Sequence, residues 1–395
     1  MSSTWAQNVQ EATLLRHRLH RSPELSWQEH GTAQIIRSEL KALDIPWRAC
    51  AGTGTVATLA PNASGRHIAL RGDIDALPIT EQTAVDWISQ TPGVMHACGH
   101  DGHTATLMAV ARWLKTNESA LAGPVSLLFQ PAEEGGHGAR VMIEDGALDG
   151  VDWIFGWHNW PAIAFGQALC PDGPVMAANG IFEIELTGRG GHASQPELCR
   201  DPVVAAAALT LNLQQIVSRR LPPQSAAVVS VTSIDAPSGI TVIPQTARLA
   251  GSIRVGDTAL RAEIGGMIGE IAQATAQSYG VQANVTVMPR YQATVNHAAP
   301  AAHYRGTLEQ VLGPHWCDHR LPTPIMASED FSYYLAHIPG AFALVGADDG
   351  QGHHAPCHSP QYDFNDRLID PVGRILASLV GVPPEYGPRG NDCDR

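Results

Sequence analysis

No long run of basic residues occurs in this chain of 395 residues, whose net charge is −13. Nucleic-acid binding, which needs clustered cations to neutralise phosphates, is therefore disfavoured. The first residues, Met1 to His20, lack the apolar core of a secretory leader, because Glu11, Arg16 and Arg18 interrupt it. No stretch reaches the roughly 18 uncharged apolar residues of a membrane span. The nearest, Val203 to Val217, carries Asn212, Gln214 and Gln215 and reads better as an amphipathic helix. A disulfide framework is missing too: the seven cysteines are odd in number and scattered. They read as reduced thiols, and the expectation is a cytoplasmic protein without membrane or nucleic-acid partners.

What is there points to a catalyst. At 44% hydrophobic and 16% charged, the chain can bury a large core, and its length suggests two or three domains. Histidine is the unusual count, with 18 residues, many beside Gly, Pro, Asp or Cys. That placement fits loops at a site better than core packing.

Helical spacing runs over residues 5 to 20 (Trp5, Val9, Ala12, Leu15, Leu19). Ser26-Trp27-Gln28-Glu29 has the form of a capping box, which predicts a second helix from Trp27 to about Leu43. Strands are expected at Val56 to Leu59, His67 to Leu70, Val125 to Phe129 and Val151 to Trp157, with a helix over Gly102 to Leu114. This alternation predicts an α/β domain, with chemistry at the carboxyl ends of its strands. Beyond Gly180 the pattern changes. Strands at Ile181 to Leu186, Ala226 to Ile234, Ala247 to Val255 and Val281 to Met288, with helices over Asp201 to Arg220 and Thr258 to Tyr279, give the order βαββαβ. The expected organisation is thus a catalytic domain, 1–180 plus 292–395, with an inserted α+β lid at 181–291. After Gln292 a strand at Ala341 to Val345 and a helix over Asp366 to Leu379 complete the first domain.

Four clusters fall at strand ends. His96-Ala97-Cys98-Gly99-His100-Asp101-Gly102-His103 places three histidines, a cysteine and an aspartate within eight residues. Cys and His are the preferred ligands of zinc-like ions. The plain alternative is a polar helix N-terminus. Glu133-Glu134 is a pair of neighbouring carboxylates, which repel unless something positive stabilises them. A metal would do so, with one acid as ligand and the other as general base. A solvated acidic turn is the alternative. His158, flanked by Trp157 and Trp160, reads equally as a ligand or a packed histidine. The segment from Gly352 to Pro360 is rich in His and Pro, directly after a strand. Together, one Cys, one Glu and three His would suit two divalent ions about 3.5–4 Å apart, which can activate water and polarise a carbonyl.

The set Pro23-Glu24-Leu25, Arg71 to Pro78, His96 to His103, Gln130 to Gly135, Gly190-Gly191-His192-Ala193-Ser194, Ser328-Glu329-Asp330-Phe331 and His358-Ser359-Pro360 resembles the M20 metallopeptidases. More narrowly it is similar to their amidohydrolase subfamily: hippurate hydrolase, N-acyl-amino-acid amidohydrolases and auxin-conjugate hydrolases. The resemblance runs from about residue 10 to 380. It implies a mixed-sheet dinuclear metallohydrolase domain with an inserted lid. It implies metal ligands at Cys98, His100, Glu134, His158 and His358, with Cys98 bridging. It implies Glu133 as general base and Asp75 as a supporting acid behind the ligands. His192 would reach a substrate oxygen, and Arg254 would hold the substrate carboxylate, for which a guanidinium is suited. As alternatives, Asp75 is a strand-end cap and Arg254 a surface strand residue.

One departure stands out. The family's Asn before Val-Ile-Pro is replaced in Thr241-Val242-Ile243-Pro244. This puts substrate identity in doubt and leaves the metal chemistry untouched. The expected activity is hydrolysis of the amide of an N-acyl amino acid, with N-acetyl groups foremost. The segment Gly190 to Arg200 together with Thr241 to Pro244 resembles deacetylases of N-acetyl-2,4-diaminobutyrate. Alternatives are a hippurate or aromatic acyl-amino-acid hydrolase, a small-peptide carboxypeptidase, and a cysteine hydrolase with Cys98 as nucleophile. A non-catalytic binding module is disfavoured because every ligand is kept. Zn, Mn, Co and Ni all accept such a ligand set. The lid sheet offers an edge for a homodimer.

Overall fold

Seven strands build one mixed sheet in the order β1-β2-β4-β3-β5-β7-β6. They are β1 (Trp47–Cys50), β2 (Gly54–Leu59), β3 (Ile68–Asp73), β4 (Val125–Gln130), β5 (Trp153–Ala164), β6 (Ala168–Leu169) and β7 (Gly340–Asp348). The central four, β4-β3-β5-β7, are parallel, and the flanking pairs are antiparallel. Strand β4 is buried along its whole length and β3 along nearly all of it. That explains why both read as continuous apolar runs: parallel strands are covered on both faces. Helix α1 (Trp5–Arg21), α2 (His30–Ala42), α3 (His100–Thr116), α4 (Ala298–Leu312) and α5 (Ile369–Leu379) accompany this sheet. Helix α3 is buried on almost every side, which its small residues Ala105, Ala109 and Ala111 permit. Helix α1 begins with a true capping box, Thr4 with Gln7.

The computed structural model describes residues 4–385. Cys393 and the last ten residues of the expected catalytic segment lie outside the described residues. The sheet and its helices form one compact unit, Met1–Gly173, Val295–Pro322 and Tyr333–Arg395. Its core is a single cluster that includes Leu70, Leu107, Phe129, Phe155 and Ile375. A second unit comprises Pro174–Thr294 and Thr323–Ser332. It carries a four-stranded antiparallel sheet of Ala178–Thr187, Ala227–Asp235, Thr246–Val255 and Gln282–Pro289. The spatial order is second, third, first, fourth, as in the split βαββαβ unit. Helices Pro202–Leu213 and Thr258–Tyr279 contribute to its separate core.

Three sequence expectations need correction. The helix expected over Asp201 to Arg220 ends at Leu213, and the chain continues as a wider π turn at Ile216–Arg220. The second unit takes in more chain than 181–291. Residues 323–332 join it because the Ala177 amide donates to the Ile325 and Ala327 carbonyls, both at 2.9 Å. The motif Ser328-Glu329-Asp330-Phe331 therefore belongs to the second unit. Finally, α2 starts at His30, and Ser26 and Glu29 do not cap it. Their side chains go elsewhere, as described below.

Candidate metal centre

The site assembles at the carboxyl ends of β3, β4 and β7, at the middle of β5, which continues past His158 to Ala164, and at the start of α3. Gly99, just before α3, has φ +88°. A Cβ there would collide with the Asn159 amide and the Tyr362 hydroxyl, so glycine is required at this turn. The turn sets Cys98 and His100 on either side of it. Asn159 Nδ2 donates to the Cys98 carbonyl at 2.8 Å, and the Tyr362 hydroxyl donates to Asn159 Oδ1 at 2.7 Å.

The five expected ligands come together. Cys98, His100 and His158 form one group whose ligand atoms lie within 4.8 Å of one another, and all three residues are buried. Cys98, Glu134 and His358 form a second such group. Cys98 belongs to both. Its sulfur lies 3.3 Å from His158 Nε2, and His358 Nε2 lies 3.2 Å from Glu134 Oε1. His358, with φ +68°, is drawn in by its amide, which donates to the Ala97 carbonyl at 2.7 Å. Glu133 is buried and groups with His100 and Glu134.

Hydrogen bonds set which imidazole atom is offered. His158 Nδ1 is 2.6 Å from the Asn159 carbonyl, so it donates there and leaves the Nε2 lone pair toward Cys98. His100 Nδ1 is 3.2 Å from Asp75 Oδ1, an arrangement that would offer the Nε2 lone pair to an ion once the ring is neutral. Asp75 Oδ2 also accepts the Glu134 amide at 3.0 Å and the Ser26 hydroxyl at 2.7 Å. Asp75 thus holds two candidate ligands from behind, as acids around metal sites do.

The donor set fits cations. His100 Nε2 is buried and has no hydrogen-bond partner among the described residues, and buried Glu134 Oε1 has only the His358 imidazole close by, at 3.2 Å. Such atoms cost free energy unless something satisfies them. Charge balance says the same. Burial lowers the His100 pKa, but Asp73, Asp75 and Glu134 outweigh it and raise it to about 10. Burial and the neighbouring His103 hold His158 well below its usual value. The hydrogen bond that the Cys98 thiol donates to Cys357, burial and the Glu134 and Glu133 carboxylates push the Cys98 thiol well up. A divalent ion held by this donor set would reverse that last effect, because a coordinating thiol is deprotonated.

Three site residues had no role in the sequence reading. His103 Nδ1 lies 2.6 Å from Asp73 Oδ1, and its Nε2 accepts the Asn159 amide at 3.3 Å. Both nitrogens are thus spent on protein. Asp73 is ion-paired with Arg71 at 2.6 Å; burial raises its pKa, but Arg71, His100 and His103 together lower it far more. Asp73, His103 and Asn159 form a rigid backing to the ligands. The sequence signal was available: His103 follows His100 by one helical turn, and Asp73 precedes Asp75 by two residues along the chain.

His192 and Arg254 belong to the second unit. His192 is exposed, and its Nδ1 accepts the Ser194 hydroxyl at 2.7 Å and amide at 3.1 Å. It pairs across a short two-stranded ladder with Val242, and the Ala193 amide donates to the Thr241 carbonyl at 2.9 Å. Thr241 therefore adjoins the His192 loop. Arg254 is half-buried, on the strand Thr246–Val255, and donates to the Ser328 hydroxyl. It is not a plain surface residue.

Residues 69–381 match the family described as Peptidase family M20/M25/M40. The chain belongs to this family. It is a metal-dependent amidohydrolase of the M20 type. It is 41% identical over 349 residues to an N-acetyl-L-cysteine deacetylase of Bacillus subtilis, covering 87% of this chain and 82% of that one. It is 35% identical over 371 residues to the hippurate hydrolase of Campylobacter jejuni, covering 93% and 94%. A solved structure of a dinuclear metal-binding peptidase of the M20 family from Bacillus subtilis superposes with a TM-score of 0.81. That structure shares 31% identity and covers 95% of this chain and 98% of its own. The dinuclear neighbour and the two ligand groups agree on a pair of divalent ions in this M20 enzyme. Among the described residues, no helix is long and apolar enough to cross a membrane.

Proposed function

We propose that this M20 enzyme hydrolyses the amide bond of N-acyl amino acids, N-acetyl ones foremost, with Glu133 as general base. The observation that carries the reading is that Cys98 belongs to both ligand groups. One thiolate shared between two sites is what a pair of close ions requires. Bound there, two divalent ions, zinc first by donor chemistry, would acidify water and polarise the substrate carbonyl.

The chain's own residues then do the rest. Cys98, His100, Glu134, His158 and His358 would hold the ions. Glu133, within one ligand-sized cluster with Glu134 and His100, takes the proton of the attacking water. It returns that proton to the departing amine nitrogen. Asp75 keeps His100 in the donor-ready tautomer and holds the Glu134 amide. His192 offers an imidazole proton to the carbonyl oxygen, and Arg254 engages the free carboxylate of the amino acid with its planar fork.

The acyl group and amino acid follow from the relatives only as a range, from N-acetyl-L-cysteine to hippurate. N-acetyl-2,4-diaminobutyrate remains a specific substrate to test. We further propose cytoplasmic residence, in keeping with the six free thiols among the described residues. A homodimer would form through an edge of the four-stranded sheet, to be tested by light scattering. The deciding experiment for the activity is release of carboxylate from a panel of N-acyl amino acids, with and without added Zn, Mn, Co or Ni. Metal-dependent turnover of one or more is expected. Undiminished turnover after exhaustive chelation would instead support Cys98 as a nucleophile.

A further inference from the structure

Glu29 is a fully buried carboxylate that is in none of the ligand groups. It stands at the start of α2 and makes no side-chain cap bond there. Its Oε1 accepts the Ala132 amide at 2.9 Å, and its Oε2 accepts the Thr53 hydroxyl at 2.7 Å. Ala132 immediately precedes Glu133 and holds φ +52°. That region is disfavoured for any residue with a Cβ, so the turn needs outside support. The same turn is packed closely from the other side. A Cβ on Gly136 would meet the Ala132 Cβ at 2.6 Å and Trp27 Nε1 at 2.8 Å. Trp27, in turn, has φ +66°. Its neighbour Ser26 bonds Asp75, the acid that holds the Glu134 amide. One short segment, 26–29, therefore braces the backbone of both site carboxylates.

We propose that Glu29 is a positioning residue for the reaction. Its carboxylate pins the Ala132 amide, and the left-handed turn so fixed aims the Glu133 side chain at the reacting water. Burial costs a carboxylate dearly unless its oxygens are bonded, and here each oxygen has a donor. Burial raises the Glu29 pKa, while the Thr53 and Ala132 bonds oppose that rise. The inference rests on Glu133 acting as the base, and the test separates the two.

Four variants of the metal-loaded full chain decide it: Glu29→Met, which keeps volume but has no acceptor oxygen; Glu29→Gln, which keeps one; Glu29→Met with Ala132→Gly; and Glu133→Gln. The measurements are kcat, KM, bound metal, and hydrogen exchange across residues 130–137. A misaimed catalytic group costs on the order of tenfold to a hundredfold. Glu29→Met should lower kcat by that range, with KM and metal content near wild type and faster exchange in 130–137. Glu29→Gln should lose far less. Ala132→Gly should recover part of the loss, because glycine adopts positive φ without a brace. Should Glu29→Met not fold, Thr53→Val, which strips one bond from Glu29, takes its place. Wild-type kcat in Glu29→Met, a loss that only tracks missing metal, or no recovery by either conservative change would overturn the proposal. An inactive Glu133→Gln beside a fully active Glu29→Met defeats the positioning role alone. An active Glu133→Gln defeats the base assignment, and this inference falls with it.

Discussion

The Cys98 sulfur and His158 Nε2 meet at 3.3 Å inside the protein, with the other imidazole nitrogen already committed to the Asn159 carbonyl. Neither group is arranged as a nucleophile and its base. The thiol is pushed up, not down, by its surroundings, and the imidazole is held in its neutral form. Both are arranged as they would be to share a cation.

Metal stoichiometry follows from that arrangement. Cys98 sits in both ligand groups, whereas His158 and His358 each sit in one. After dialysis, Cys98→Ala should retain well under one ion per chain and His358→Ala about one, against about two in the parent, as a dinuclear site requires. Elemental analysis by plasma mass spectrometry is the check. Two ions retained in Cys98→Ala would remove the bridging role.

Arg254 gives a prediction about substrate. Lysine carries the same charge but cannot form two parallel bonds to a carboxylate. Arg254→Lys should raise KM for an N-acyl amino acid by about tenfold or more, with a smaller change in kcat. An amide substrate whose carboxylate is esterified should be insensitive to the change. Equal KM values for both substrates in both proteins would dissociate Arg254 from carboxylate recognition.

The regular elements were legible because their signals are local. The apolar runs of β3, β4 and β5 announce buried parallel strands, and the stripe Trp5, Ala12, Leu15, Leu19 announces α1. The cluster His96 to His103 marks the ligand turn because cysteine and histidine are rare together by chance. What was not legible depends on distant partners. Thr4-Gln7 and Ser26-Glu29 share one sequence pattern, yet only the first is a cap. Ser26 is claimed by Asp75, 49 residues away, and Glu29 by Ala132, 103 residues away. The motif at Ser328 to Phe331 was assigned to the wrong unit for the same reason: its tether, Ala177, is remote in sequence. Arg16 and His20 interrupt the apolar face of α1 without any local cause, since their partners Asp101, Asp366 and Glu81 come from elsewhere.

Asp75 should matter through the metals and not through substrate. It orients His100 at 3.2 Å and carries the Glu134 amide at 3.0 Å. Removing such a partner typically costs tenfold to a hundredfold in metal affinity. Asp75→Asn should therefore bind zinc about ten to a hundred times more weakly in a competition titration with a chelating dye. Unchanged affinity together with lower thermal stability would reduce Asp75 to a strand-end cap.

The buried pair of His20 and Asp101, 2.8 Å apart, sets a stability limit at alkaline pH. Asp101 opens α3, next to the ligand His100, and Arg16 lies 3.7 Å from the same carboxylate. Burial lowers the His20 pKa, but Asp101 and Glu81 outweigh it and raise it from 6.5 to about 9. A folded-state value above the unfolded one means that the native protein binds the extra proton more tightly. The resulting stability is complete below about pH 6.5 and is lost as the pH climbs through about 9. Its size is on the order of 3 kcal/mol, from the shift between those values. His20→Gln keeps a hydrogen-bonding side chain but cannot take the charge. Urea unfolding should thus show the parent well ahead of His20→Gln at pH 6, with the gap closing as the pH rises past 9. A gap that stays constant from pH 6 to 10 would mean that His20 is neutral in the folded chain and that Arg16 alone balances Asp101.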